Sequence, residues 1–484
     1  MTESLGNKAI KGTIWASIDR FGMMGMQFVV NLVLARLLAP SDFGAIGMIM
    51  IFIAISQVFV DGGFGPALIQ KKHSDQTDFS TIFFWNCGVG VLLYGVIFFI
   101  APAVGKFYDM PILSPVLRVF GISLVLNSIT GIQAIRLQKS LAFKPLAAVN
   151  VLSYLIGGIT AIVMAFYGNG VWSLVTLTLV SGVVRIILFY MISHWLPNLT
   201  FSYTSFKELF GFGGYLLCAN LLQNACKNVQ GLIIGKKFSA SEMGYYSQAD
   251  KLDQITSYSL PQVIVQVMYP VYAQIQDDRQ RLISTMEMNF RVIAFVIFPI
   301  LATLILVAEP LITMLYGAKW LPAVPYFRIL CCGGIFVCLT NINYYAVAAV
   351  GKSRSLFMWS FYKWGMLLLF LMAGMNFGMT ALMWSIVASH FNIFIVNAML
   401  SRKWVGFPMM TLIKTVAPIG TLSIILTTCI FTLSNYCITI HWGIQIALFF
   451  SLYMLLAYIF RFKAVQDTAA ILKRLASHTM QRPS

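Results

Sequence analysis

Tyr215 to Tyr258 reads YLLCANLLQNACKNVQGLIIGKKFSASEMGYYSQADKLDQITSY, two segments of membrane-spanning length that polar residues interrupt. Placed on helices at about 100° per residue, the polar residues of each segment fall on one face. These residues are Asn220, Gln223, Asn224 and Lys227 in the first segment and Ser247, Asp250, Lys251, Gln254 and Tyr258 in the second. Because a charge at the bilayer centre costs about 2.5 to 3.5 kcal/mol, we expect both faces to line a bundle interior or a watery cavity.

The composition is that of a polytopic membrane protein. Of 484 residues, 59% are hydrophobic and only 10% are charged. Spanning helices of about 20 residues fit about fourteen times along such a chain. The predicted spans are 12-36, 43-62, 80-101, 116-136, 146-167, 171-192, 208-235, 244-273, 287-308, 323-350, 355-374, 378-400, 411-433 and 442-461. The sequence therefore predicts an all-α membrane fold with no room for a large soluble domain.

The net charge of +17 reflects membrane topology rather than nucleic-acid binding. Basic residues cluster in alternate connections between the apolar segments, for example Lys71 and Lys72, Arg136 and Lys139, and Arg402. Under the positive-inside rule these connections face the cytoplasm. We therefore predict that both termini are cytoplasmic and that no nucleic acid is a partner.

A repeat divides the chain into two halves. ARLLAPSDFG at 35–44 aligns with GKKFSASEMG at 235–244, an offset of 200, and each lies between the first and second predicted helix of its half. Because six helices return the chain to its starting side, we expect parallel copies related by an axis along the membrane normal. The prediction is one six-helix lobe at 1-200, a second at 201-405 and a terminal helix pair with a cytoplasmic tail at 406-484. The two lobes would surround a central cavity.

The repeat also predicts which residues line this cavity. The first helix carries Arg20, Gln27 and Asn31 within a narrow arc, and the matching positions of the seventh helix include Asn220 and Lys227. Substrate sites of repeat transporters lie near the bilayer midplane where the repeats meet. We expect these residues to line that site, although a structural ion pair or snorkelling to an interface would also account for the two cations.

Carboxylates near these faces leave more than one interpretation open. Asp19 points about 100° away from Arg20 on a helix, so we expect it to pair with another helix. Asp250, Lys251 and Asp253 either neutralise one another or take part in substrate binding or ion coupling.

The sequence has none of the enzyme motifs that nucleotide, zinc or transferase chemistry would require. GKS at 351–353 lacks the first glycine of a phosphate-binding loop, because Ala346 stands there, and an apolar helix precedes it. The sequence has no HExxH motif, no zinc-ligand spacing among its eight cysteines and no long outer loop for transferase chemistry. We therefore predict a protein that is not an enzyme and that has no cofactor and no metal site.

Four stretches of the chain resemble polysaccharide flippases of the Wzx type, which serve O-antigen, teichoic acid and exopolysaccharide synthesis. They are LARLLAPSDFGAIGM from Leu34, VDGGFGPALIQKK from Val60, GYYSQADKL from Gly244 and KWLPAVPYFRIL from Lys319. The superfamily also includes lipid II flippases and multidrug exporters of the MATE kind. The resemblance implies a MATE-like fold in the bacterial inner membrane, with fourteen helices and two lobes around a central cavity. The implied function is export of undecaprenyl-pyrophosphate-linked oligosaccharide repeat units to the periplasmic leaflet by alternating access.

The resemblance also implies cationic cavity residues on the first, seventh and eighth helices. The matching positions are Arg20, Lys227 and Lys251, which would hold the pyrophosphate, while Gln248 stands where many relatives have arginine. The amides expected to bind sugars in the cavity are Gln27, Asn31, Asn220, Gln223, Asn224 and Gln254. Without a nucleotide site, uphill transport would need an ion gradient, and the candidate coupling carboxylates are Asp19, Asp61, Asp250 and Asp253.

The implied partners are the lipid-linked oligosaccharide, membrane lipids, a glycan polymerase and glycosyltransferases, and we expect a monomer. Two other functions fit a helical membrane bundle. An ion-coupled drug exporter of the MATE kind would need an acidic, apolar cavity, which the cationic faces disfavour. A membrane glycan polymerase or ligase would need catalytic residues in a large outer loop, and the sequence has no such loop.

Overall fold

The computed structural model describes residues 5–434 and 441–468, and the regular elements in those ranges are helices. The chain divides into two compact units, Met1–Gly244 and Tyr245–Ser484. Part of the predicted terminal pair, 435–440, and most of the predicted cytoplasmic tail, 469–484, lie outside the described residues.

Most helices of the first unit are long enough to cross a membrane. They are α1 (Leu5–Leu37), α2 (Pro40–Asp61), α3 (Phe64–Gln70), α4 (Gln76–Phe107), α5 (Leu113–Phe120), α6 (Ile122–Lys139), α7 (Phe143–Phe166), α8 (Val171–Ser193), α9 (Tyr203–Lys237) and the first residues of α10 (Ala240–Gln254). The predicted span 116-136 is divided into α5 and α6 at Gly121.

Local chemistry explains where the helices of this unit start and stop. Before α2, the Asp42 carboxylate accepts the backbone N–H of Ala39 at 3.0 Å. The helix ends where Gly62 has a φ of 56°, a left-handed conformation that glycine adopts without a Cβ clash. At the start of α4, the Asp75 carboxylate accepts the N–H of Asp78 at 2.8 Å and the Asp78 carboxylate accepts the N–H of Asp75 at 3.2 Å. This reciprocal cap fixes the first turn of α4.

In the second unit, α10 continues through a π-helical turn, Ile255–Ser259, into α11 (Leu260–Gln274). The turn comes just before Pro261, which has no N–H to continue the α-helical hydrogen-bond pattern. The remaining helices are α12 (Arg279–Leu306), α13 (Ala308–Tyr316), α14 (Val324–Ala349), α15 (Ser353–Gly374), α16 (Met379–Trp404), α17 (Met409–Thr432) and α18 (Trp442–Ile459).

The all-α membrane fold is confirmed. Each predicted span falls on helix, and among the described residues twelve helical stretches are long and apolar enough to cross a membrane. The two predicted spans outside this group are 208-235, on α9, and 244-273, on α10 and α11. Their polar faces reduce their hydropathy, so the least apolar helices are those from which the cavity was predicted. The count of about fourteen spans stays a prediction.

The first unit extends beyond the first predicted lobe. α9 packs against α2 and α3, and the unit ends at Gly244, directly after the second copy of the decapeptide. The second copy therefore lies in the same compact unit as the first. The lobes at 1-200 and 201-405 and the terminal region at 406-484 stay a prediction.

Candidate functional site

α1 has an exposed polar face. Arg20 and Gln27 are exposed, and Asn31 is half-buried one turn further along. Elsewhere α1 packs against α7, where a Cβ at Gly158 would lie 2.8 Å from the buried side chain of Val30. This close contact with α7 fixes the rotation of α1 and with it the direction of the polar face.

Asp19 faces neighbouring helices instead of this polar face. The Asn150 side chain on α7 donates to both carboxylate oxygens of Asp19 at 3.3 Å. Arg185 on α8 lies within electrostatic range of the same carboxylate, and no described residue accepts a hydrogen bond from its buried Nε. The prediction that Asp19 pairs with another helix is confirmed, whereas its role in ion coupling stays a prediction.

α9 carries the matching polar face. Asn220, Gln223 and Lys227 are exposed, and Asn224 is half-buried. The Asn224 side chain donates to the backbone oxygen of Asn220 at 2.9 Å, and the Asn228 side chain donates to that of Asn224 at 2.8 Å. The amides of Asn224 and Asn228 are held along their own helix, which leaves Asn220, Gln223 and Lys227 as the exposed polar side chains of the face.

Arg20 and Lys227 have no protein partner within the described ranges, 5–434 and 441–468. There neither side chain makes a hydrogen bond or an ion pair. The structural ion pair that could have explained these cations is therefore not found in that part of the chain. The structure also does not join the two side chains in one hydrogen-bonded group. Unpaired cations on helices of spanning length require water or an anionic ligand.

The polar residues of α10 differ in burial. The Gln254 side chain donates to the Asp250 carboxylate at 2.6 Å, one helical turn away. Lys251 is exposed. Asp253, in contrast, is buried and accepts a hydrogen bond from the Ser257 hydroxyl at 2.5 Å. Lys251 and Asp253 therefore differ in exposure, although both lie within electrostatic range of Asp250. Whether this group neutralises itself or binds substrate stays a prediction.

A glycine on α14 makes room for the buried pair of Asp253 and Ser257. A Cβ at Gly334 would lie 2.0 Å from the Ser257 hydroxyl oxygen and 3.3 Å from an Asp253 carboxylate oxygen. Any larger residue would push this pair out of place. Asp253 is thus fixed by the contact between the π-helical turn and α14, and its role in ion coupling stays a prediction.

Asp61 ends a chain of hydrogen bonds between α2 and α6. The Gln57 side chain donates to Asp61 at 2.8 Å, and the Asn127 side chain donates to Gln57 at 3.1 Å. Asp61 itself is exposed. The structure therefore gives this coupling candidate an oriented and accessible carboxylate, while its role stays a prediction.

Sequence reasoning missed three residues that complete these groups, namely Asn127, Asn150 and Arg185. Arg185 could have been identified from the sequence, because it is the one charged residue in the predicted span 171-192. An ionisable residue inside a span is a functional hypothesis by default. The sequence does not distinguish the two asparagines from other polar residues, since their importance depends on which helices are neighbours.

The two copies of the decapeptide repeat touch each other. A Cβ at Gly44 would lie 1.7 Å from the carbonyl oxygen of Ala240, and a Cβ at Gly244 would lie 1.9 Å from that of Pro40. Pro40 and Ala240 occupy the same position of the repeat, as do the two glycines. Such reciprocal contacts are a property of surfaces related by a two-fold axis. They support a two-fold relation between the copies, while the direction of the axis stays a prediction.

Charged residues hold the end of α3, the short helix that follows α2. Lys71, which follows α3, donates to Asp78 on α4 and to Glu208 on α9, each at 3.0 Å. Burial opposes the charge on Lys71, but its hydrogen bonds and attraction to Glu208 and Asp78 outweigh burial, so the pKa of Lys71 is raised above its ordinary value. Segments predicted to share the cytoplasmic side therefore meet at this point.

Sequence comparison relates the chain to proteins of polysaccharide synthesis. A family model described as polysaccharide biosynthesis protein matches residues 33–325. The chain is 25% identical over 358 residues to the teichuronic acid biosynthesis protein TuaB of Bacillus subtilis (strain 168), covering 74% of each chain. It is 25% identical over 342 residues to the lipopolysaccharide biosynthesis protein WzxC of Escherichia coli (strain K12), covering 70% of this chain and 69% of that one.

Solved structures share the fold. Lipid II flippase MurJ in an inward closed conformation matches with a TM-score of 0.73 at 16% identity, over 92% of this chain and 98% of that one. An inward-facing transporter of the multidrug resistance MATE family matches with a TM-score of 0.63 at 15% identity, over 82% of this chain and 98% of that one. The predicted MATE-like architecture is confirmed.

Proposed function

Since the chain belongs to the family of polysaccharide biosynthesis proteins, we propose that it is a flippase for lipid-linked oligosaccharides. It moves undecaprenyl-pyrophosphate-linked repeat units from the cytoplasmic to the periplasmic leaflet by alternating access. The chain is a multi-pass bacterial membrane protein. In this proposal it acts as a monomer with both termini in the cytoplasm, and it makes or breaks no covalent bond.

The observation that carries the proposal is the pair of exposed cations, Arg20 on α1 and Lys227 on α9, which have no partner among the residues that the structure describes. A pyrophosphate that leaves the headgroup layer loses its hydration and needs positive charge in return. Fixed cations supply it more strongly in a low-dielectric environment than in water. Lys251, also exposed, supplies a third cation.

The other polar residues have supporting roles in this proposal. The amides expected to hydrogen-bond the sugar hydroxyls are Gln27, Asn31, Asn220, Gln223, Asn224 and Gln254. The polyprenyl tail stays in lipid, because burying it among these polar groups would desolvate them. The carboxylates available for ion coupling are Asp19, Asp61, Asp250 and Asp253. Glycosyltransferases supply the lipid-linked substrate and a glycan polymerase consumes it.

A deletion strain complemented with variants tests the proposal. Without the protein, surface glycan disappears and the lipid-linked intermediate accumulates inside the cell. Arg20→Ala and Lys227→Ala each reduce export by about tenfold or more, because a hydrogen bond to a charged group contributes about 1.5 to 3 kcal/mol. The double variant reduces export further.

Lys106→Ala is the matched control, because Lys106 is an exposed cation in the last turn of α4. This variant keeps wild-type export. The proposal is wrong if the two single variants and the double variant all export at the wild-type rate while present at normal levels.

Two rival functions give different results in the same strain. A drug exporter would change drug resistance on deletion and leave surface glycan intact. A glycan polymerase or ligase would form or cleave glycosidic bonds when purified and supplied with the lipid-linked substrate. The cationic faces of α1 and α9 disfavour the first rival, because they repel cationic drugs.

A further inference from the structure

A basic cleft lies where one apolar helix begins and two others end. It is separate in sequence from the cationic faces of α1 and α9. Its volume is about 400 Å³, and its lining residues are Phe79, Arg136, Leu137, Lys139, Ser140, Ile192 and Ser193. α4 begins there at Gln76, α6 ends there at Lys139 and α8 ends there at Ser193. Because these helices are of spanning length and apolar, their common end lies at the level of the lipid headgroups.

Arg136 offers free hydrogen-bond donors to this cleft. Its guanidinium lies 4.8 Å from the ring centroid of Trp195 and 5.8 Å from that of Phe79. Contact with aromatic rings uses the face of the guanidinium and leaves its N–H edges available. Within the described ranges no acceptor bonds to these N–H groups.

The aromatic platform under Arg136 is rigid. Trp195 is 6% exposed, and its indole N–H donates to the Gln76 side chain at 2.5 Å. The Gln133 side chain donates to the carbonyl oxygen of Trp195 at 3.2 Å, and the Ser193 hydroxyl donates to Gln133 at 2.6 Å. The guanidinium is therefore held in one place before any ligand arrives, which reduces the entropic cost of binding.

Lys139 adds positive charge to the cleft but does not donate a hydrogen bond to the ligand. Its ammonium donates to the carbonyl oxygen of Leu68 at 2.7 Å, to that of Lys71 at 2.5 Å and to the hydroxyl of Ser74. An ammonium has three donors, so all of them are used. The lining of the cleft contains two cations and no carboxylate, and an anion is favoured there.

Apolar side chains beside the cleft suit a ligand with a hydrocarbon tail. Ile192 lines the cleft and is exposed, and Leu196 and Leu199, which follow Trp195, are exposed as well. We propose that the cleft binds the phosphate group of an anionic lipid, with Arg136 as hydrogen-bond donor and the rings of Phe79 and Trp195 as its platform.

Two kinds of lipid carry this chemistry, a phospholipid and a polyprenyl carrier. The test uses the purified full-length chain in a neutral detergent and measures binding of short-chain phosphatidylglycerol, with short-chain phosphatidylcholine as the zwitterionic control. Phosphatidylglycerol binds at least about tenfold more tightly than phosphatidylcholine, because only the former has a net negative charge. Undecaprenyl pyrophosphate is then added as a competitor to the double variant with Arg20→Ala and Lys227→Ala, which lacks the two main cations of the proposed transport site. Displacement shows that the cleft accepts the carrier, and no displacement shows that it takes phospholipid.

Variants identify the cleft as the site. Arg136→Gln lowers affinity for phosphatidylglycerol by about tenfold or more, and Arg136→Lys lowers it less, because an ammonium keeps the charge but loses the bidentate geometry. Arg354→Gln is the matched control, since Arg354 is an exposed arginine at the start of α15. Its affinity equals that of the wild type.

The proposal is overturned if Arg136→Gln, shown to be folded by an unchanged elution profile and melting temperature, binds phosphatidylglycerol like the wild type. It is also overturned if phosphatidylcholine binds equally well. If Arg136→Gln does not fold, Arg136→Lys is measured instead. A smaller loss of phosphatidylglycerol affinity then supports the proposal, and an affinity equal to that of the wild type overturns it. Lys106→Ala leaves this binding unchanged, and because the assay measures phosphatidylglycerol binding without transport, failure of the cleft and failure of the proposed transport site are separate results.

Discussion

At the start of α2 two backbones touch through Gly44 and Gly244, whereas at the end of α3 Lys71 joins three segments through ion pairs. The first contact depends on shape alone, because nothing larger than a hydrogen atom fits beside the facing carbonyl groups. The second depends on charge, and solvent or salt can weaken it. The repeat in the sequence thus marks a steric contact, while the basic connections mark an electrostatic one.

The largest expected effect comes from adding a methyl group at the steric end. In Gly44→Ala the new Cβ overlaps the carbonyl oxygen of Ala240, so the helices must separate. Overpacking of this kind costs about 3 kcal/mol or more, which a thermal unfolding measurement in detergent detects as a lower melting temperature.

Gly88→Ala is the matched control for this change. No atom lies within 4 Å of a Cβ at Gly88, which is in the middle of α4. We expect this variant to be more stable by about 0.5 to 1 kcal/mol, because alanine loses less backbone entropy in a helix. Equal melting temperatures of the two variants would contradict the steric interpretation.

Smaller effects are expected at the charged end, and they should differ between the two partners of Lys71. Lys71→Met leaves the Asp78 side chain, which is 2% exposed, without its cation, and we expect a loss of about 1 to 3 kcal/mol in unfolding free energy. Glu208→Gln changes a side chain that is 61% exposed, and we expect a loss below about 1 kcal/mol. If Glu208→Gln lowers the free energy of unfolding more than Lys71→Met does, then burial does not determine how much each ion pair of Lys71 contributes to stability.

The pH dependence of the charged end follows from the raised pKa of Lys71. A lysine whose pKa is higher in the folded state contributes full stability below its unfolded value and loses it only as pH rises through the folded value. The stability difference between wild type and Lys71→Met is therefore constant from about pH 6 to about pH 9 and shrinks above about pH 10. A difference that shrinks already between about pH 7 and about pH 9 would contradict this assignment.

The smallest effect is expected at the contact between α1 and α7. Asn150→Ala removes the hydrogen bonds that the Asn150 side chain donates to Asp19. Hydrogen bonds between membrane helices contribute about 0.6 kcal/mol on average, so we expect a loss of that size. A loss above about 2 kcal/mol would mean that Asn150 and Arg185 together hold the Asp19 charge.

The sequence was sufficient for the helices and for the polar faces, because apolar length and helical periodicity are local properties. It also revealed the repeat whose glycines make the steric contact. It did not reveal that Asp19 would meet Asn150, that α9 would pack on α2 or that Arg136 would lie over Trp195. These contacts join residues far apart in the chain, and they depend on which helices become neighbours.

Transport by the purified chain in proteoliposomes tests the central claim most directly. Undecaprenyl-pyrophosphate-linked oligosaccharide is placed in the inner leaflet, and its arrival at the outer leaflet is followed with an external glycosidase. We predict that the wild type and Lys106→Ala move the substrate, and that the double variant with Arg20→Ala and Lys227→Ala does not, although its melting temperature is unchanged. A wild type that moves none of the substrate, or a double variant that moves it at the wild-type rate, would contradict the account.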